Sequence, residues 1–285
     1  MPLSTAYSFS FNGQVFGGGT SPYQILSVDG LESIPVIRNQ DDNRGYNDGM
    51  FTGRDFLGGR TISIIFNTFG SGINSAAENL NTIQASLLPQ SSGTTPLYFL
   101  IPDGSNSEQF VNARVRAFRT TIDPNYTYGY ITSQVEFFCA DPRYYNSTLN
   151  TLSLTVGGGL GRVYNRIYNL VYLTGAPSYT TVTNTGRTAT YPTITFNGPI
   201  TNPIFGNVTQ AKYIFLNGTF VDTDTCIIDL QNQLITLNGN PARNLMLNGS
   251  EWWSAQPGAN SIFFFGSGIV APPATASISW YNAFI

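Results

Sequence analysis

Three stretches of this chain alternate apolar and polar residues with a period of two, and that pattern dictates β-strands. Thr61–Phe66 puts Ile62, Ile64 and Phe66 on one side. Val111–Ala117 sets Val111, Ala113 and Val115 opposite Asn112, Arg114 and Arg116. Ile131–Cys139 turns Thr132, Gln134 and Glu136 outward. Such spacing rests one face on a core and leaves the other to solvent or a neighbour. A single stretch carries helical spacing instead. Ile73, Ala76, Ala77, Leu80, Ile83 and Leu87 recur three or four apart, and Pro89 ends the run. Ser75 and Glu78 have the separation of a capping box. One amphipathic helix of about three turns is predicted over 76–88, its apolar stripe covering the open side of the first β-domain.

From 190 onward turn chemistry dominates. Asn-Gly pairs stand at 197–198, 217–218, 238–239 and 248–249, between short apolar runs. Asn-Gly suits the left-handed backbone of a type I′ hairpin turn. Strands at Tyr213–Leu216, Cys226–Leu230, Leu234–Leu237 and Ser261–Phe265 follow at the close spacing of a β-sandwich. Charge divides the chain too. Residues 1–143 hold 8 Arg and 12 acids; residues 144–285 hold 4 Arg, Lys212 and 4 acids. The fold class expected is mainly all-β. A domain over 1–145 contains the helix, 146–189 is a connector with some strand and a hinge at Gly157–Gly161, and 190–285 is a β-sandwich.

With 41% hydrophobic residues, the chain has the material for packed cores, and its 10% charged residues leave no basic face for nucleic acid. There is no histidine, which removes Ser–His–Asp and Cys–His catalysis and most zinc sites. The sole lysine, Lys212, follows Ala211 rather than the Gly of a P-loop, and Arg162 breaks G-x-G-x-x-G after Gly157. Asp222, Asp224 and Asp229 are spaced loosely like calcium ligands, but Cys226 stands where an oxygen ligand belongs. Asp41-Asp42 lies in a Gly- and Asn-rich loop and reads as solvated turn residues. Cys139 and Cys226 are a reduced pair by default. No signal-peptide pattern opens the chain, and no apolar run reaches the ~20 residues of a membrane span. The expectation is a non-enzymatic protein without metal or cofactor. Trp252 and Trp253 are neighbours in an extended stretch, so they point to opposite faces. One is expected buried against Ser261–Phe265 and the other near the surface, open to a glycan or a partner.

Certain runs carry a resemblance. Val28-Asp-Gly-Leu31, Pro35-Val-Ile-Arg38, the Asp- and Gly-rich loop to Gly53, and Gly59-Arg60 entering a strand resemble the opening of siphophage distal tail proteins, in the siphovirus tail component family. So do Ala140-Asp-Pro-Arg-Tyr-Tyr145 and Tyr164-Asn-Arg-Ile-Tyr168. The second half is similar in Asn184-Thr-Gly186, Tyr191-Pro192, Asn197-Gly-Pro199, Thr201-Asn-Pro203, Ile228-Asp229, Trp252-Trp253 and Pro257-Gly-Ala-Asn260. The resemblance implies a β-barrel-like, ring-forming first domain and a jelly-roll or galectin-like second one. It implies a homo-hexamer at the virion tail tip, assembled in the host cytoplasm, between the tail-tube protein and the tail hub. Tape-measure protein and DNA would pass its lumen without specific binding. Arg38, Asp41, Asp42, Arg44, Arg54 and Arg60 become candidates for the ring interface, and Arg114 and Arg116 for the lumen or a neighbour. A plain solvated surface is the alternative for each. The rival functions are a tail-tube subunit with a decoration domain and a carbohydrate-binding adhesin using Trp252 or Trp253.

Overall fold

The computed structural model describes residue 3 and residues 7–89, 93–101, 107–157, 179–267 and 274–285. The segment 158–178, with most of the Gly-rich run and the Tyr164–Tyr168 motif, lies outside them. Two compact units emerge, Met1–Ser147 with Ile285, and Thr148–Phe284.

In the first unit the strands begin β1 (Ser8–Phe11), β2 (Gln14–Gly17) and β3 (Tyr23–Asp29). Four two-residue strands follow: β4 (Ile37–Arg38), β5 (Asp42–Asn43), β6 (Met50–Phe51) and β7 (Phe56–Leu57). Then come β8 (Arg60–Phe69), α1 (Ile73–Ser86), β9 (Thr95–Leu100), β10 (Gln109–Thr121), β11 (Tyr130–Cys139) and β12 (Tyr144–Asn146). The main sheet runs β2-β1-β9-β10-β11-β8-β3, with antiparallel neighbours. Its ladder does not close into a barrel, because β2 and β3 stand at opposite ends of the path. The sheet nevertheless curls over its core. Phe16 on β2 meets Phe66 on β8 at 5.0 Å, and Phe11 on β1 meets Phe137 on β11 at 4.9 Å.

The helix starts earlier than predicted, and the Ser75–Glu78 capping box does not form. Gly72 is the N-cap, with no side-chain cap hydrogen bond. Its extended backbone leaves the Gly70-Ser71-Gly72 turn so that Ile73 is already helical, which puts Ser75 inside the first turn instead of before it. Ala76, Ile83 and Leu87 are buried. The Tyr23 hydroxyl donates to the Asn79 carbonyl at 2.9 Å, and the Asn79 amide donates to the Phe69 carbonyl at 2.7 Å, tying α1 to the sheet.

The second unit holds β13 (Asn150–Gly157), β14 (Tyr179–Asn184), β15 (Thr193–Asn197), β16 (Ile200–Asn207), β17 (Lys212–Phe215) and β18 (Thr219–Phe220). It continues with β19 (Thr225–Asp229), β20 (Leu234–Leu237), β21 (Asn240–Pro241), β22 (Gly258–Ser267), β23 (Thr275–Trp280) and β24 (Ala283–Phe284). One layer is ordered β13-β23-β15-β19-β20-β21, antiparallel throughout. The other centres on β22 and β16, with β14 against β22, and β17 and β18 against β16. β13 joins both, since Val156 and Gly157 run parallel to Phe264 and Phe265. Two strands between 146 and 189, β13 and β14, are thus built into this sandwich. Phe205 and Phe264 stack at 4.6 Å in one layer, and Phe196 of the other approaches Phe205 at 5.2 Å. These rings, with Phe220, are buried at the centre of the core.

Of the four Asn-Gly pairs beyond 190, only Asn238-Gly239 makes a two-residue hairpin. Both residues have positive φ, and Leu237 pairs Asn240 across the turn. Asn197-Gly198 links strands of opposite layers, and Asn217-Gly218 lies between two strands that share β16. Neither Asn197 nor Gly198 has positive φ, so the dipeptide marks a turn without fixing its type or which strands it joins. A further hairpin of this kind sits in the first unit, where Asn12-Gly13 connects β1 to β2.

Candidate interaction surfaces

Between β3 and β8 the chain leaves the main sheet as an arm. Ile37 pairs Leu57 at its base and Asp42 pairs Phe51 further out. An isolated two-stranded ribbon is marginal in water, yet this one displays large apolar side chains. Ile34 and Val36 are each 73% exposed and Phe51 is 60% exposed, and Tyr46, Met50 and Phe56 are exposed as well. Exposed apolar groups gathered on one element mark a surface that another molecule covers.

The structure places Arg38, Asp41, Asp42, Arg44 and Arg54 on this arm, all exposed. Asp41 braces it, accepting from the Gly53 amide at 2.9 Å and from the Asn39 side chain at 3.2 Å. Asp42 accepts from the Asn43 amide at 2.8 Å, and the Arg44 guanidinium lies 5.1 Å from the Phe51 ring centroid.

Arg60, expected at the ring interface, is instead buried inside its own unit at 2% exposure. Its Nη1 donates to the carbonyls of Gly30 at 3.0 Å, Ser33 at 2.8 Å and Leu31, and its Nε donates to that of Pro142 at 3.2 Å. The guanidinium sits 4.3 Å from the Tyr144 ring centroid, and the Tyr144 hydroxyl also donates to Leu31. Burial pulls the Arg60 pKa below the usual arginine value, while Tyr144 opposes the shift. Gly30 has φ of +80°, and a Cβ there would run into the Thr61 carbonyl, so only glycine lets this segment press onto β8. The guanidinium fork therefore fastens the root of the arm.

Arg114 and Arg116 are exposed on β10. The strand bulges between Val115 and Ala117, which shifts the alternation. Beyond the bulge Phe118 turns in toward Phe66, while Arg119 points out to meet Glu136 at 2.7 Å. Arg119 was hidden from sequence reasoning by this bulge. On the same sheet the Gln134 amide donates to Ser63 at 2.9 Å and Thr132 donates to Asn67 at 2.8 Å. The outward face is therefore a polar wall carrying three arginines.

In the second unit Trp253 is buried at 2% exposure among core residues that include Ile262 and Phe264, and Trp252 is half-buried. A groove of about 490 Å³ runs past both, lined also by Tyr191, Gln210, Lys212, Gln233, Ser254 and Gln256. Two of the three aspartates spaced like calcium ligands, Asp224 and Asp229, hold turns. Asp224 accepts from the Asn238 amide at 2.9 Å and from the Val221 N–H at 2.9 Å, which keeps its carboxyl below the usual range. Asp229 accepts from the Gln231 and Asn232 N–H groups at 2.9 and 3.0 Å. Cys139 and Cys226 are buried in separate units, and burial pushes each thiol up to about 12.

Residues 185–283 match the family model for the siphovirus-type tail component, C-terminal domain. In fold, the chain is similar to the SPP1 Dit protein, described as a paradigm of the hub adsorption apparatus in phages that infect Gram-positive bacteria. That likeness has a TM-score of 0.66 at 17% identity and covers 98% of this chain and 99% of SPP1 Dit. A chain of the phage P2 baseplate in its activated conformation shows a looser likeness, with a TM-score of 0.49 at 10% identity, covering 95% of this chain and 97% of that one. No curated protein matches the chain by sequence.

Proposed function

We propose that this chain, whose second unit carries the siphovirus-type tail component domain, is a distal tail protein of a long-tailed phage. Six copies close into a ring at the tail tip that joins the tail tube to the hub below, after assembly in the host cytoplasm. The observation that carries this reading is the arm from Ile34 to Leu57. It exposes too much apolar surface to serve a lone molecule, and its root is locked by Arg60. In a closed ring each arm lies on a neighbour, which buries the apolar residues and leaves no free edge to aggregate. Arg38, Asp41, Asp42, Arg44 and Arg54 then pair across the subunit contact.

The polar wall of β8, β10 and β11 suits a lumen. Arg114, Arg116 and Arg119 give it positive charge, but Glu136 offsets one of them, and firm binding of DNA needs many more phosphate contacts than two or three. Tape-measure protein and DNA therefore pass without being held. The fold shared with SPP1 Dit supports the same place in the tail. The test is to mix the purified chain with the tail-tube protein of the same phage and examine the product by electron microscopy. Single six-fold rings capping one tube end are expected. Open stacking of this chain into long tubes would identify it as the tube subunit instead.

A further inference from the structure

From the groove beside Trp252 we infer a second, separate role for the C-terminal unit: it binds a saccharide. The site is built in advance. Three buried asparagines spend their side chains on one short stretch, Ser254 to Gln256. Asn207 donates to the Ser254 carbonyl at 3.0 Å and Asn184 donates to the Ala255 carbonyl at 3.1 Å. Asn260 accepts from the Gln256 N–H at 3.0 Å and donates to the Gln256 carbonyl at 2.8 Å. Buried amide donors are costly unless bonded, and here the Nδ2 groups of all three asparagines are spent on fixing the rim of the groove. Trp252, half-buried, packs against an arginine. The Arg243 guanidinium lies 5.5 Å from its ring centroid and is itself tied to the Gln233 carbonyl at 3.0 Å.

The groove's chemistry fits a pyranose. An indole ring offers a flat apolar face to sugar C–H groups. Gln210 and Gln256 both donate through Nε2 to the Ser254 hydroxyl, at 3.4 and 3.0 Å, which leaves their amide oxygens to accept from ligand hydroxyls. Lys212 adds a cation and, among the described residues, no carboxylate lines the groove, so an acidic substituent is accommodated. The volume lies within the ~300–1,000 Å³ of small-ligand clefts. The walls are shared between the Gln and Ser polar groups and the Trp and Tyr rings, and they lack the deep apolar pocket that anchors a protein partner.

The experiment uses the full chain with a panel of oligosaccharides containing glucose, galactose, rhamnose, N-acetylglucosamine or glucuronate. Binding is read by tryptophan emission and by saturation-transfer NMR. At least one saccharide is expected to bind, and Trp252→Ala and Gln256→Ala are each expected to weaken it by roughly tenfold or more. Lys212→Gln is expected to weaken acidic sugars selectively, and Arg119→Ala is expected to change nothing. Gln256 is exposed, its backbone bonds to Asn260 survive the change and Ser254 keeps its bond from Gln210, so the melting temperature of Gln256→Ala is expected to stay close to the parent value and its loss of binding reports on the site. No binding across the panel overturns the inference, and so does binding that survives both Trp252→Ala and Gln256→Ala. Loss of capture of the tail hub protein by these variants, without any saccharide binding, assigns the groove to a protein contact instead. None of these outcomes depends on ring formation, which is measured separately.

Discussion

Replacing Arg60 by Met keeps an unbranched stem of similar length and removes the fork that holds the arm's root. The cost follows from what is left behind. Tyr144 still donates to Leu31, and the carbonyls of Gly30 and Ser33 are only partly buried and regain water. The Pro142 carbonyl loses its buried donor, which costs about 1–3 kcal/mol. The guanidinium over Tyr144 contributes about 0.5–2 kcal/mol. Hydrogen bonds from a charged donor add more, offset in part because a buried cation no longer has to be desolvated. A net loss of about 3–5 kcal/mol is expected. Arg60→Lys keeps the charge but not the fork, so it should recover less than half of this. All three tryptophans lie beyond residue 250 and report on the second unit. Urea unfolding of the full chain followed by tryptophan emission should therefore stay put, while the far-ultraviolet signal of the first unit shifts. For a slope of ~2 kcal/mol/M the midpoint falls by about 1.5–2.5 M. A shift below ~0.5 M, or an equal shift in the tryptophan signal, would refute the clamp.

Trp253→Ala should cost about 3–5 kcal/mol in the second unit, as large core truncations do, and Trp252→Ala clearly less; calorimetry of the two variants decides this. The thiols of Cys139 and Cys226 should resist alkylation at pH 8 in the native chain and react in denaturant, as mass spectrometry will show. Both folded-state values are raised to about 12, so the linked stability is complete below the unfolded value near 9. It is lost as pH climbs from there toward 12, and denaturation midpoints measured across that range should fall.

Much of the first unit was legible because period-two alternation survives folding wherever a strand has one buried face. In β11 the residues Ile131, Val135, Phe137 and Cys139 all turn inward. The pattern failed where the backbone itself departs from regularity. The bulge at Arg116 adds one residue to β10 and reverses the faces beyond it, so Arg119 joins the polar wall. The Gly70–Gly72 turn displaced the helix start from its apparent capping box. Arg60 looked like its exposed neighbours because its burial depends on carbonyls near residues 30–33 and at 142, which only the fold assembles. For Trp252 and Trp253 alternation implied opposite faces, but the three asparagines that shape the groove stand on three strands far apart in sequence, β14, β16 and β22, and carry no local signal.

If the arm closes a ring, the mass of the purified chain in solution will show it. Light scattering combined with native mass spectrometry should give six times the 31.0 kDa chain. Substituting Ser for Phe51 and Phe56 should return the chain to its single mass with both units folded. A 31.0 kDa particle for the unaltered chain at every concentration, alone and with the tube protein, would contradict ring closure by the arm. So would a hexamer that the arm substitutions leave intact.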